Sequence, residues 1–269
     1  MINRMLIVLL LFISTQCMAQ KSLSFGIVPQ QSATQLAKLW TPIIEELSNK
    51  SGLDIHFVTA PDIPSFEKRL AAGEYDIAYM NPYHYVVFNQ SVGYKAVAKA
   101  HDKKIKGIII VSKNSDINSL QDLQNSTLAF PAPASFAATI LTQADLADQQ
   151  VNFTANYVSS HDSVYRNVAK GIYPAGGGVL RTFNNVAPQI RDQLRILWTT
   201  KGYTPHAIAV HPRVIRAATD KLQQALLTLE QYAVGKQLLG SIKINGFEKG
   251  LDADWDDIRA LNLKQLSDN

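Results

Sequence analysis

Apolar side chains alternate with small or polar ones over residues 23–29, which predicts a strand. They then recur at Leu36, Leu39, Trp40, Ile43, Ile44 and Leu47, the spacing of one helical face, until Asn49 to Gly52 stops it. The pattern repeats as a strand over 54–60, a helix over 65–72 ended by Gly73, a strand over 76–80 and a helix over 82–90 with proline in its first turn. Strands that alternate with helices at this spacing predict parallel pairing through right-handed crossovers, the α/β class.

A continuous apolar run at 107–112 reads as a further strand, and a lobe boundary is expected near residue 112. A second series follows: a helix from Ser119, a strand over 127–130, a helix over 135–147, a strand over 153–158, a helix from Asp162 and a strand over 194–199. Residues 206–211 read as a returning strand. The remainder to Asn269 reads as helical, with Leu222, Leu226, Leu229, Leu238, Leu239, Trp255, Ile258 and Leu261 as its apolar positions. Helices without strands of their own must pack on an earlier sheet. The expected organisation is therefore a discontinuous first lobe (20–112 and 206–269), an inserted second lobe (113–205) and two crossing strands with a ligand cleft at the hinge.

The N-terminus stands apart from this pattern. Arg4 precedes nine uninterrupted apolar residues from Met5 to Ile13, and Cys17-Met18-Ala19 follows before Gln20. A charged start, a short apolar core and a small residue at the end predict a secretory signal peptide over 1–19, since a membrane span needs about 20 apolar residues. Gln16 before Cys17 disfavours a lipoprotein site, so cleavage after Ala19 is expected. That cleavage removes the only cysteine and leaves an exported chain without disulfides, thiolate metal sites or cysteine nucleophiles. The 26 basic and 22 acidic residues are dispersed, which disfavours nucleic acid as a partner. No metal or cofactor is expected.

Tyr79-Met80-Asn81-Pro82-Tyr83 ends a predicted parallel strand and opens a helix, where α/β proteins keep their ligands, so Tyr79, Asn81 and Tyr83 are candidate ligand contacts. With Phe136 and Tyr203 these aromatics are also candidates for a cage around a quaternary amine. Ala175-Gly176-Gly177-Gly178 lacks the spacing of a dinucleotide or phosphate-binding fingerprint and reads as a turn that permits close backbone approach. His206 and His211 fall on opposite faces of one strand and form no metal site together. No nucleophile elbow or zinc-protease motif occurs.

Trp40-Thr41-Pro42, Ala60-Pro61-Asp62, Asp76-Ile77-Ala78 before an aromatic, Val111-Ser112-Lys113-Asn114-Ser115 before Leu120, and the stretch from Phe130 to Ser135 occur in an order and spacing that span almost the whole exported chain. In this the sequence resembles the phosphate/phosphite/phosphonate substrate-binding proteins of ABC transporters. The resemblance implies the type II periplasmic binding fold, two α/β lobes that close on a small ligand, and no catalysis. It also implies an oxyanion held at a helix N-terminus by hydroxyls and backbone N–H groups, with Ser135 and His161 in the matching positions. Free amide donors and the positive end of a helix dipole favour an anion on general grounds.

The chain departs from that pattern in several places. Phe136 stands where the family carries a second hydroxyl after the serine, and Ala137 and Ala138 follow it. The tyrosines of phosphonate binders fall near Ile63 and near Ile105 or Lys106. The two carboxylates that hold an aminophosphonate's ammonium group align with Arg181 and His206. The expected ligand is therefore a small anion rather than 2-aminoethylphosphonate, bound by a monomeric periplasmic protein that serves an ABC transporter permease. The alternatives are an input protein for a membrane sensor kinase and a periplasmic transferase or hydrolase using His161 as base.

Overall fold

The computed structural model describes residues 22–261 and 263, so the expected signal peptide, Cys17 and the chain end lie outside the described residues. Helix α1 (Ala33–Ser51) starts where the Ser32 side chain accepts a hydrogen bond from Gln35 N, and ends at Gly52, whose φ of 66° suits a residue without Cβ. Its buried stripe, Leu36, Trp40, Ile43, Ile44 and Leu47, faces a sheet built from β1 (Leu23–Ile27), β2 (Ile55–Val58) and β3 (Ile77–Met80). Asp62 caps α2 (Ile63–Ala71), and Asn81 caps α3 (Pro82–Ser91) by accepting from His84 N at 2.8 Å. β1 lies parallel to both β2 and β3, as the strand–helix repeats predict.

β4 (Lys95–Ala100) was not anticipated, and the strand Gly107–Ser112 (β5) does not close the first lobe as expected. β5 pairs wholly within a second sheet, so the chain changes lobes over residues 101–106. The second sheet has the order β7-β6-β8-β5-β9, formed by β6 (Ser126–Phe130), β7 (Phe153–Tyr157), β8 (Ala175–Val179) and β9 (Leu194–Thr199). β5 is buried on both faces. Ile108 and Ile110 pack toward α5 (His161–Ala169), and Ile109 and Val111 pack toward α4 (Thr142–Asp148), which accounts for its unbroken apolar run. A single π-helical turn, Phe136–Leu141, leads into α4, while the expected helix from Ser119 is only a three-residue turn, Gln121–Leu123. Two short helices, α6 (Leu180–Asn185) and α7 (Pro188–Arg191), precede β9.

The returning strand, β10 (Ala207–Val210), inserts antiparallel between β3 and β4, in the middle of a six-stranded sheet ordered β11-β4-β10-β3-β1-β2. The helices α8 (Arg216–Thr228), α9 (Ala233–Ser241) and α10 (Asp256–Arg259) accompany it. The stretch read as wholly helical also holds a short edge strand, β11 (Phe247–Lys249). The two crossings are joined to each other: Ile105 N donates to Tyr203 O at 2.8 Å, and Tyr203 N to Ile105 O at 3.0 Å. The two-lobe α/β architecture matches the expectation; the place of the crossover does not.

The glycine run read as a turn is strand β8. Its glycines do permit a close approach, because a Cβ built at Gly177 would stand 1.9 Å from Ala138 O and one at Gly107 would stand 2.1 Å from Ala137 O. Two strands thus lack side chains where the π-helical turn lies against them. A Gly177→Ala variant is expected to lose about 1–3 kcal/mol through overpacking, which lowers the unfolding midpoint by several degrees. Thermal unfolding beside Gly240→Ala, where an added Cβ meets nothing within 4 Å, tests this. Equal midpoints for the two variants would rule out the close-packing account.

Candidate ligand-binding site

Ser135 occupies the cap position before Phe136, yet its side chain caps nothing. Its hydroxyl lies 3.2 Å from His161 Nε2 instead. The pair arises from topology: β6 and β7 are parallel neighbours, so the segments after their C-terminal ends, which carry Ser135 and His161, emerge on the same side. The other imidazole nitrogen, Nδ1, lies 3.1 Å from Thr182 Oγ1, which donates to Val179 O at 2.9 Å and meets the Tyr165 hydroxyl at 2.7 Å. The imidazole thus bridges two hydroxyls, Ser135 at Nε2 and Thr182 at Nδ1, and its tautomer decides which of them donates. Burial, together with the nearby Arg181 charge, brings the His161 pKa down to about 3, so the ring is neutral at physiological pH. Both Ser135 and His161 are buried.

The amides of Phe136, Ala137 and Ala138 precede the first hydrogen-bonded amide of the turn, Thr139 N, which donates to Ser135 O at 2.8 Å. They are therefore the orphan donors of a helix start. The Phe136 side chain serves differently from the expectation. It meets the Tyr203 ring edge-on at 5.8 Å and joins the first-lobe core.

Several contacts join the lobes around this pair. Asn81 Nδ2 donates to Ala134 O at 3.2 Å, His161 N to Gln30 O at 3.1 Å, Ser32 N to Asp162 Oδ2 at 3.3 Å and Arg181 Nη2 to Gln30 Oε1 at 2.5 Å. Gln30 and Thr182 were not anticipated. Gln30 follows the C-terminal end of β1, a position that marks ligand contacts in α/β sheets, but its side chain carries no chemical signature.

Beside the pair lies a cavity of about 170 Å³, lined by Tyr79, Arg181 and His206 among others. Tyr79 stacks on His206 at 4.8 Å, leans on Trp40 at 4.6 Å and has the Arg181 guanidinium 5.9 Å from its ring centre. Burial, then the Arg181 charge, holds His206 well below the ordinary imidazole range. Tyr83 is elsewhere, lining a separate cavity with Val86, Val87 and Ile258. The aromatic cage does not assemble, because Phe136 and Tyr203 pack on each other and Tyr83 lies at the separate cavity. Of the sequence candidates, the structure gathers Tyr79, Asn81, Ser135, His161, Arg181 and His206 around the junction of the lobes, with Phe136 as a core residue there.

Comparison with known proteins bears on the fold and the family. Residues 25–255 match the family described as ABC transporter, phosphonate, periplasmic substrate-binding protein. A phosphonates-binding periplasmic protein of Escherichia coli K12 is 25% identical, over 87% of this chain and 81% of the relative. A binding-protein component of an ABC phosphonate transporter from Pseudomonas aeruginosa superposes with a TM-score of 0.83 at 18% identity, covering 90% of this chain and 86% of that one. A Prochlorococcus marinus protein solved with methylphosphonate gives 0.81 at 21% identity, covering 90% of this chain and 99% of that one. These likenesses fix the two-lobe periplasmic binding fold, and the family match over most of the sequence places the chain among the phosphonate substrate-binding proteins of ABC transporters.

Proposed function

We propose that the protein is a monomeric periplasmic receptor that closes its two lobes on a small phosphorus oxyanion and delivers it to an ABC importer permease. One observation carries the reading: Ser135 stands at a helix start without capping it and is turned instead onto a buried neutral histidine. A ligand oxygen placed there meets the hydroxyl, the three orphan amides and the positive end of the helix dipole. The Asn81, Gln30 and Ser32 contacts across the lobes support closure around the same point. Relatives named for phosphonates, phosphate and phosphite binding support an oxyanion of phosphorus as the ligand.

The Ser135–His161 pair invites comparison with a nucleophile and its base, but the surroundings argue for capture. The far side of the imidazole meets a threonine rather than a carboxylate, and a ring with a pKa of about 3 is a poor acceptor for a serine proton at neutral pH. Calorimetric titration of the wild type with phosphate, phosphite and methylphosphonate is expected to show saturable binding without turnover. Ser135→Ala and His161→Asn should each weaken it about 10- to 100-fold, the worth of a hydrogen bond to a charged group. Unaltered affinity in both variants, with circular dichroism showing them folded, sinks the assignment of the site.

A further inference from the structure

The cavity beside the oxyanion pair has an unusual lining. Arg181, Lys103, Lys104, Lys106 and Lys243 all border it, together with the neutral His206, and none of its lining residues is an aspartate or glutamate. Among the described residues, none of these four lysines has a carboxylate partner, and Arg181 is bonded only to the neutral Gln30. Lys99, by contrast, is paired with both Glu248 and Asp254. Asp102, next to Lys103 in the chain, and Glu230 are both engaged by His101, whose pKa those contacts raise. Inside the cavity, His206 is 3% exposed, and its Nε2 is buried without a hydrogen-bond partner. A buried polar atom left unsatisfied costs free energy, as does a ring of like charges around a concave wall. Both costs fall when an anion enters.

Arg181 connects the cavity to the oxyanion pair. Its guanidinium donates to the Gln30 side chain, Gln30 O accepts from His161 N, and Thr182, the partner of His161 Nδ1, directly follows Arg181 in the chain. We propose that the ligand is a small bis-anion whose phosphorus oxyanion sits at Ser135 and His161 and whose second acidic group, a carboxylate or another oxyanion, sits against Arg181, His206 and the lysines. Arg181 supplies a planar fork suited to such a group, the lysines supply charge at the rim, and the stacked Tyr79 and His206 rings form the floor. The same wall rejects an ammonium tail.

This inference rests on the oxyanion reading above, and the test separates the two. The full chain is titrated calorimetrically at constant ionic strength with methylphosphonate, phosphonoacetate and 2-aminoethylphosphonate. Phosphonoacetate is expected to bind at least tenfold tighter than methylphosphonate, and 2-aminoethylphosphonate more weakly than either. In Arg181→Gln and in Lys106→Gln/Lys243→Gln, the affinity ratio of phosphonoacetate to methylphosphonate should fall by tenfold or more. Screened charge attraction without a subsite would instead lower that ratio only a few-fold in the variants. A wild-type ratio near one, or a ratio that the substitutions lower no more than a few-fold, overturns the proposal while Ser135-dependent methylphosphonate binding keeps the oxyanion site standing. If no phosphonate binds, or Ser135→Ala changes nothing, the oxyanion site itself is wrong and the bis-anion proposal falls with it.

Discussion

Arg181→Glu is expected to abolish anion binding. The guanidinium carries positive charge at the junction between the oxyanion pair and the cavity, where it adds to the burial that chiefly depresses His161 and His206. At an effective dielectric of about 20, a unit charge about 6 Å from an anion is worth roughly 3 kcal/mol, and reversing its sign replaces that attraction with comparable repulsion. The sum corresponds to more than a thousandfold in Kd. The fold should tolerate the change, because Arg181 is only half-buried and a glutamate can accept from the Gln30 amide as readily as the arginine donates to its oxygen. Titration with methylphosphonate and phosphonoacetate reads the loss, and 2-aminoethylphosphonate should gain affinity in the same variant. Retention of methylphosphonate binding within tenfold of wild type would place Arg181 away from the ligand.

Much of this arrangement was legible in the sequence because it is made by side chains with a regular repeat. The stripe of α1 and the two-faced burial of β5 are direct consequences of where Leu, Ile and Trp fall. β8 was hidden because its strand state owes little to its own side chains: Ala-Gly-Gly-Gly is extended where Ala138 O and the Phe130 ring come too close for any larger residue. β4 was missed for a related reason. Its Lys-Ala-Val-Ala-Lys-Ala sequence is poor in the branched and aromatic residues that mark strands, and it is held by partners on both sides, β10 and β11, that come from the far end of the chain.

The site divides in the same way. Ser135 and His161 were anticipated through the family resemblance, and the structure supplies the reason they meet: parallel strands bring successive loops to one edge, whatever lies between them in sequence. Tyr79 and Asn81 follow from the same rule. Tyr83 does not. The turn of helix that begins at Pro82 carries its ring toward Val86 and Ile258, a rotation that no strand-end rule specifies. The lysines of 103–106 were unremarkable as a short basic run, which on most surfaces is merely solvated. Only the pairing of Ile105 with Tyr203, which draws the two crossings together, brings that run to the cavity beside Arg181.

The two buried imidazoles predict a steep loss of stability in acid. In the folded chain His161 protonates only near pH 3 and His206 well below its ordinary value, whereas both take up a proton near pH 6.5 once unfolded. Between those limits the unfolded state binds more protons, so stability is complete above about pH 6.5 and falls as the pH drops toward 3. Each ring contributes a slope of about 1.4 kcal/mol per pH unit across its own window. Asp162 acts with the opposite sign, because burial raises its carboxyl pKa and the folded state then holds that proton more tightly. It offsets part of the loss only below the pH at which its folded carboxyl protonates. Urea unfolding midpoints measured from pH 7.5 to 4.5 should therefore decline, and His161→Asn combined with His206→Gln should flatten the decline even though the double variant starts from a lower stability at pH 7.5. The slope, rather than the absolute midpoint, carries the decision: an equally steep decline in the double variant would assign the acid sensitivity to other groups and leave the two imidazoles without the buried, neutral state on which the geometry of the site depends.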